Sequence, residues 1–259
     1  MGLPKEWEVS IDGGIFGHWR RIHEYLSERV EGYIFKGRPV GRSIGAPPAG
    51  TMGNGIPFTT ACKLRGTPQM CMDMAADPEF ARKLLTYITD AVIQAIKAWR
   101  KYLGTPVATD YVILGDDSVV LLSPEMYREF VLPHHRRIYE EFGTPDALRG
   151  VHLCGAAQKH LPILARELGV REFDTGYPVD LRDLYGEVGP DVRIRGGVTV
   201  DLLKSGTPAA IREESRRILE SVRPYKRFVF RDANLLAPET PLENLNAMYE
   251  ACKSYGRYR

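Results

Sequence analysis

The chain has 259 residues, of which 44% are hydrophobic, enough for a large core, and α/β barrels fold as single units of about 250 residues. A formal charge of +2 with dispersed basic residues gives no footing for nucleic acid, no apolar run approaches the ~20 residues that span a bilayer, and Met1 to Trp7 lacks the apolar stretch of a secretion signal. Cys62, Cys71, Cys154 and Cys252 are too irregularly spaced for a disulfide framework, which points to a reducing, cytoplasmic setting.

Residues 1–40 read as an N-terminal helical segment. Ile22, Leu26 and Val30 recur four apart in Trp19–Val30, which leaves His18 and His23 on a solvated face. From Gly41 to Ile56 the run GRSIGAPPAGTMGNGI is too glycine-rich for a helix and reads as a strand end entering a long loop. It lacks both the G-x-G-x-x-G and the Walker spacing. Asp77-Pro78 then caps and opens a helix whose apolar positions, Phe80 through Leu103, recur every three or four residues.

Tyr111–Leu114 is a short apolar strand ending in Gly115-Asp116-Asp117. Ser123-Pro124 opens the next helix, and Pro133 breaks or kinks it, leaving His134 and His135 toward solvent. Arg149–Gly155 is a buried strand, followed by a helix near Ala156–Leu168. Strands at Arg171–Phe173, Arg193–Val198 and Phe228–Phe230 follow, with Asp174 just past the first of them and Asp232 and Asn234 just past the last. Thr207-Pro208 opens a helix ending near Val222, and Thr240-Pro241-Leu242-Glu243 reads as a capping box for the C-terminal helix.

Helices that open on a cap residue and proline, interleaved with short apolar strands, indicate repeated β-α units on a parallel sheet. Asp116, Asp117, His152, Cys154, Asp174, Asp232 and Asn234 lie at or just past the C-terminal ends of strands. In a β/α barrel that is the face where chemistry happens. Alternation along the strand puts His152 and Cys154 on one face and Val151 and Leu153 on the other. An imidazole and a thiol converging in this way can hold zinc or poise a nucleophile. A core cysteine beside a hydrogen-bonded histidine is the competing reading.

Several stretches together resemble the uroporphyrinogen decarboxylase superfamily. They are GIPFTTACKLRG over Gly55–Gly66, the Gly115-Asp116-Asp117 turn with Ser123-Pro124 and Tyr127, and VHLCG over Val151–Gly155. The order continues through IRGGV ending at Val198, KSGTP ending at Pro208 and APETPLEN ending at Asn244, so that the resemblance covers roughly the last four-fifths of the chain. It implies a (β/α)8 barrel over residues 41–259. About six strand ends can be placed where eight are needed, so the first strands are lacking or replaced.

The branch most similar to this chain is that of the zinc-dependent corrinoid methyltransferases, whose metal motif begins His-x-Cys. The resemblance places His152 and Cys154 at those positions. The branch's second cysteine falls on Asn234, leaving Asp232 or Asp174 as the carboxylate that can complete the set. Zinc would then lower the pKa of a bound thiol, which takes a methyl group from a corrinoid carried by a partner protein. Asp116, Asp117 and Asp174 are the expected catalytic or orienting carboxylates. Lys63, Arg231 and Asn234 are the expected substrate contacts. Membrane and nucleic-acid partners are not expected, and the reading leaves room for a homo-oligomer.

Two alternatives stand beside this one. In a tetrapyrrole decarboxylase, one of Asp116, Asp117 and Asp174 would stabilise a cationic pyrrole, with Arg231 and Lys63 gripping carboxylates. A non-catalytic barrel, or a split subunit that binds a corrinoid or tetrapyrrole, is the other.

Overall fold

The computed structural model describes residues 10–40 and 55–257. In chain order the elements are α1 (Gly14–Val30), β1 (Ile34–Phe35), β2 (Arg38–Pro39), α2 (Phe58–Arg65), α3 (Thr67–Ala76), α4 (Pro78–Leu103) and β3 (Thr109–Gly115). There follow α5 (Pro124–Met126), α6 (Leu132–Phe142), β4 (Gly143–Leu153), α7 (Leu161–Leu168), β5 (Glu172–Thr175), α8 (Leu181–Val188) and β6 (Arg193–Val198). The chain closes with α9 (Val200–Ser205), α10 (Pro208–Val222), β7 (Phe228–Asp232) and α11 (Leu242–Tyr255). Most of the run expected as a strand end and loop, residues 41–54, lies outside the described residues.

The chain divides into two compact units, residues 1–114 with 133–147, and residues 115–132 with 148–259. In the first, α4 shows why its sequence folds as it does. Asp77 Oδ1 accepts from the Phe80 N–H at 3.1 Å, Pro78 occupies the first turn, and Gly104 closes the helix at φ 64°. Leu85, Ile88, Ile96 and Trp99 bury the apolar stripe. β1 and β2 form an exposed two-residue antiparallel ribbon. His135, expected in solvent, is instead buried with Nε2 3.1 Å from the Ile56 carbonyl, and His134 Nδ1 lies 3.0 Å from Thr89 Oγ1. The apolar period of α6 carries these side chains inward.

Pro133 does not end its helix. A widened π-type turn at Tyr127–Val131, closed by the Leu132 N–H donating to the Tyr127 carbonyl, precedes it.

The second unit holds four parallel strands in the order β4-β5-β6-β7. Their register places Leu153 opposite Thr175, Phe173 opposite Ile194 and Val198 opposite Asp232. Val151, Leu153, Phe173, Ile194 and Val198 bury one face completely. Under that face, Leu203 of α9, Ile211 and Ile218 of α10 and Ala247 of α11 pack around Val198. At roughly 1.5–3 kcal/mol for each fully buried large aliphatic side chain, this is the main force holding the sheet to its helices. The other face is polar. There Glu172, fully buried, is paired with Arg193 at 2.8 Å and with Arg195.

The α/β plan and the parallel strands expected from the sequence are therefore present. Among the described residues five strands, β3 to β7, belong to β-α units, against eight in a closed barrel. The capping box at Thr240 does not form. Its hydroxyl donates to the Ala237 carbonyl at 2.7 Å, and α11 starts after Pro241 without a side-chain cap.

Candidate metal centre

All of the polar strand ends that make up the site belong to the second unit. The alternation of β4 brings His152 Nε2 to 3.0 Å from Cys154 Sγ. The parallel register pairs His152 with Asp174 on β5, and His152 Nδ1 lies 3.0 Å from Asp174 Oδ2. Arg231, at the end of β7, donates Nη1 to both oxygens of Asp174 at 3.1 and 3.2 Å. Its Nη2 reaches Asp232 Oδ1 at 3.2 Å and also bonds the Asn234 carbonyl. The Asn234 N–H closes that turn on Asp232 Oδ1 at 3.2 Å.

From the loop after β3, Asp117 Oδ1 accepts the Cys154 N–H at 2.8 Å. Among the described residues Asp117, His152 and Cys154 form a group whose ligand atoms all lie within 4.8 Å of one another. One nitrogen, one sulfur and one carboxylate oxygen are a donor set that zinc accepts, with a fourth position open. Bond lengths of about 2.0 Å to nitrogen and 2.3 Å to sulfur place tetrahedral ligands about 3.5 Å apart, so the 3.0 Å nitrogen–sulfur pair needs to open by only about half an ångström.

The electrostatics follow from these contacts. The Asp174 hydrogen bond, with a second from Cys154, raises His152 to about 10 against the opposing effect of burial. Burial tends to raise Asp174, but the His152 hydrogen bond and the charges of Arg231 and Arg195 outweigh it and hold the carboxyl below its ordinary value. Asp174 is thus an anion aimed at Nδ1, the arrangement that orients a ligating imidazole, here with Nε2 turned toward Cys154.

Cys154 opens onto a cavity of about 340 Å³, lined also by Tyr177, Thr199, Asp201 and Asn234. Gly176 allows the two strand ends to meet there. A Cβ on it would sit 2.8 Å from Cys154 Cα and 3.0 Å from the Gly155 nitrogen. Gly197 does the same on β6, where a Cβ would lie 1.9 Å from the Arg231 carbonyl oxygen.

The expected residues sort as follows. His152, Cys154, Asp174, Arg231 and Asp117 come together. Asp232, expected as third ligand, is engaged by Arg231 and the Asn234 N–H, and Asp117 stands beside the histidine and cysteine instead. The register explains this, because Asp232 pairs with Val198 and so lies on the face opposite His152, whereas Arg231 pairs with Gly197 on the His152 face. Asp116 is fully buried, and its carbonyl accepts from the Val119 N–H at 3.0 Å. Asn234 lines the cavity, while Lys63 is exposed on α2 in the first unit. Sequence reasoning missed the cavity residues Tyr177, Thr199 and Asp201, which carry no spacing signal. It also missed Gly176, whose place directly after β5 was the available clue.

The uroporphyrinogen decarboxylase (URO-D) family description matches residues 48–255. The chain belongs to that family. It is 34% identical over 202 residues to a methylated-thiol–coenzyme M methyltransferase of Methanosarcina mazei, covering 76% of this chain and 51% of that protein. It is 31% identical to a uroporphyrinogen decarboxylase of Nocardia farcinica, over 64% of this chain and 46% of the relative. A methylcobamide:CoM methyltransferase of Methanosarcina mazei is 24% identical over 98% of this chain and 68% of its own length. Among solved structures, a methyltransferase from Methanosarcina mazei superposes with a TM-score of 0.66 at 18% identity, over 95% of this chain and 66% of the other. That likeness shows the fold. The chain spans about half the length of the first two of these relatives. No helix among the described residues is long and apolar enough to cross a membrane.

Proposed function

We propose that this family member is a methyltransferase in which Asp117, His152 and Cys154 hold zinc and a thiol accepts a methyl group from a corrinoid on a partner protein. The observation that carries this reading is the convergence of those three ligand atoms within 4.8 Å, with Cys154 opening onto the adjoining cavity. The names of the similar methyltransferases support it. Asp117 thereby takes the place of the cysteine that the resemblance puts at Asn234.

Bound zinc would supply Lewis acidity at the open position, keeping an acceptor thiol deprotonated at neutral pH. The protein's own contribution is positional. Asp174 would keep the proton on His152 Nδ1 when Nε2 gives up its own to make room for a metal. The Cys154 N–H fixes one oxygen of Asp117 and leaves the other for the metal. Asn234, Thr199 and Tyr177 shape the space in which the acceptor lies.

A decarboxylase of a carboxylate-rich tetrapyrrole is less well supported, because the described residues lining this cavity include no lysine or arginine. The test is metal content by elemental analysis of the purified protein beside His152→Ala and Asp117→Ala. One zinc per wild-type chain, lost in both variants, is expected, together with methyl transfer from methylcobalamin to a small thiol. A metal-free wild type that turns over uroporphyrinogen would overturn the reading, and a chain with neither property would be a non-catalytic member.

A further inference from the structure

Arg231 was expected to touch substrate, yet both of its terminal nitrogens are engaged elsewhere. Nη1 spans both oxygens of Asp174, and Nη2 joins Asp232 and the carbonyl of Asn234. One side chain therefore grips two things at once. One is the carboxylate that orients His152. The other is the turn whose residue Asn234 lines the cavity beside Cys154. A planar guanidinium is suited to this, because its donors lie in a fixed fork, whereas an ammonium is a point charge on a flexible stem. The backbone that carries the clamp is tightly packed, the Arg231 carbonyl lying against Gly197 so closely that a Cβ there would be 1.9 Å from its oxygen.

We propose that Arg231 is a positioning residue that fixes the His152 ring through Asp174 and, by the same guanidinium, ties the Asn234 side of the cavity to the metal ligands. Without it Asp174 would keep the hydrogen bond to His152 but lose its fixed orientation, and the Asn234 turn would lose its outer brace. Metal affinity and the shape of the acceptor cavity are therefore linked through one residue that touches neither metal nor acceptor. The metal half of this statement rests on the zinc reading above, and the orientation of His152 does not.

The test compares Arg231→Met and Arg231→Lys with the wild type in two measurements. In the metal-free protein, nitrogen–proton NMR follows exchange of the His152 Nδ1 proton with water, identified by its loss in His152→Ala. In the second, cobalt(II) is titrated in and the thiolate-to-cobalt absorption from Cys154 reports binding. Arg231→Met is expected to speed proton exchange about tenfold or more and to weaken cobalt binding about 10–100-fold, the usual cost of losing support behind a metal ligand. Arg231→Lys should recover part of the proton protection, since it retains a cation beside Asp174, but should leave cobalt binding weakened. Wild-type exchange and wild-type affinity in Arg231→Met overturn the proposal. If that variant does not fold, the same two wild-type values in Arg231→Lys overturn it. A wild type that takes up no cobalt removes the zinc reading, and the metal-free arm still decides the role of Arg231.

Discussion

His160 makes the acid stability of this protein a quantitative matter. Six residues beyond Cys154, it brings the loop that leaves the site back into the core. It is fully buried, its ring edge-on to Tyr127 with centroids 5.4 Å apart. Burial, reinforced by the nearby Lys159 charge, lowers it from 6.5 to about 4. The unfolded chain therefore takes up a proton near pH 6.5 that the folded protein refuses until about pH 4. Stability contributed by the neutral ring is intact above that window and is lost as the pH falls through it. Linkage between these two values gives a loss of about 2 kcal/mol at pH 5 and about 0.2 kcal/mol at pH 7, a difference of about 1.8 kcal/mol. Urea unfolding of the wild type and His160→Leu at both pH values isolates the effect, because every other titrating group cancels between the two proteins. The variant should lose about 1.8 kcal/mol less than the wild type on acidification, whatever its stability at pH 7. Equal losses in the two proteins would refute the assignment of a neutral buried His160.

Gly176→Ala should push the end of β5 away from Cys154, because the added Cβ meets backbone at 2.8 Å, and so weaken cobalt uptake at least about tenfold while the far-UV spectrum is retained; unchanged uptake would show that the strand ends can separate freely. Asn244→Leu removes the two 2.9 Å bonds from Nδ2 to the carbonyls of Leu203 and Gly206, which should lower stability by about 2–4 kcal/mol in urea unfolding. A loss below about 0.5 kcal/mol would mean that those carbonyls find other partners.

The order of β-α units was legible because apolar periodicity and cap-proline pairs are local signals. Asp77-Pro78 and Thr207-Pro208 open α4 and α10 at the expected residues, and each cap side chain accepts an N–H three residues on. The same kind of signal failed at Thr240. There the hydroxyl has a nearer acceptor in the Ala237 carbonyl, and a capping box cannot form once its oxygen is turned away. His135 was misjudged because the local reading, a histidine after proline, ignores which face of α6 packs inward.

For the site the division is sharper. The sequence alone determined that His152 and Cys154 share a face, since alternation along a strand needs no partner, and that the carboxylates gather at strand ends. Which carboxylate joins them was decided only by the tertiary structure. Strand register sends Arg231 to the His152 face and Asp232 to the opposite one, a difference of a single residue. It sets Asp174 against Nδ1, while the loop after β3 brings Asp117 to the Cys154 backbone from 37 residues away. Contacts between distant segments depend on how strands pair, and no window of neighbouring residues carries that information.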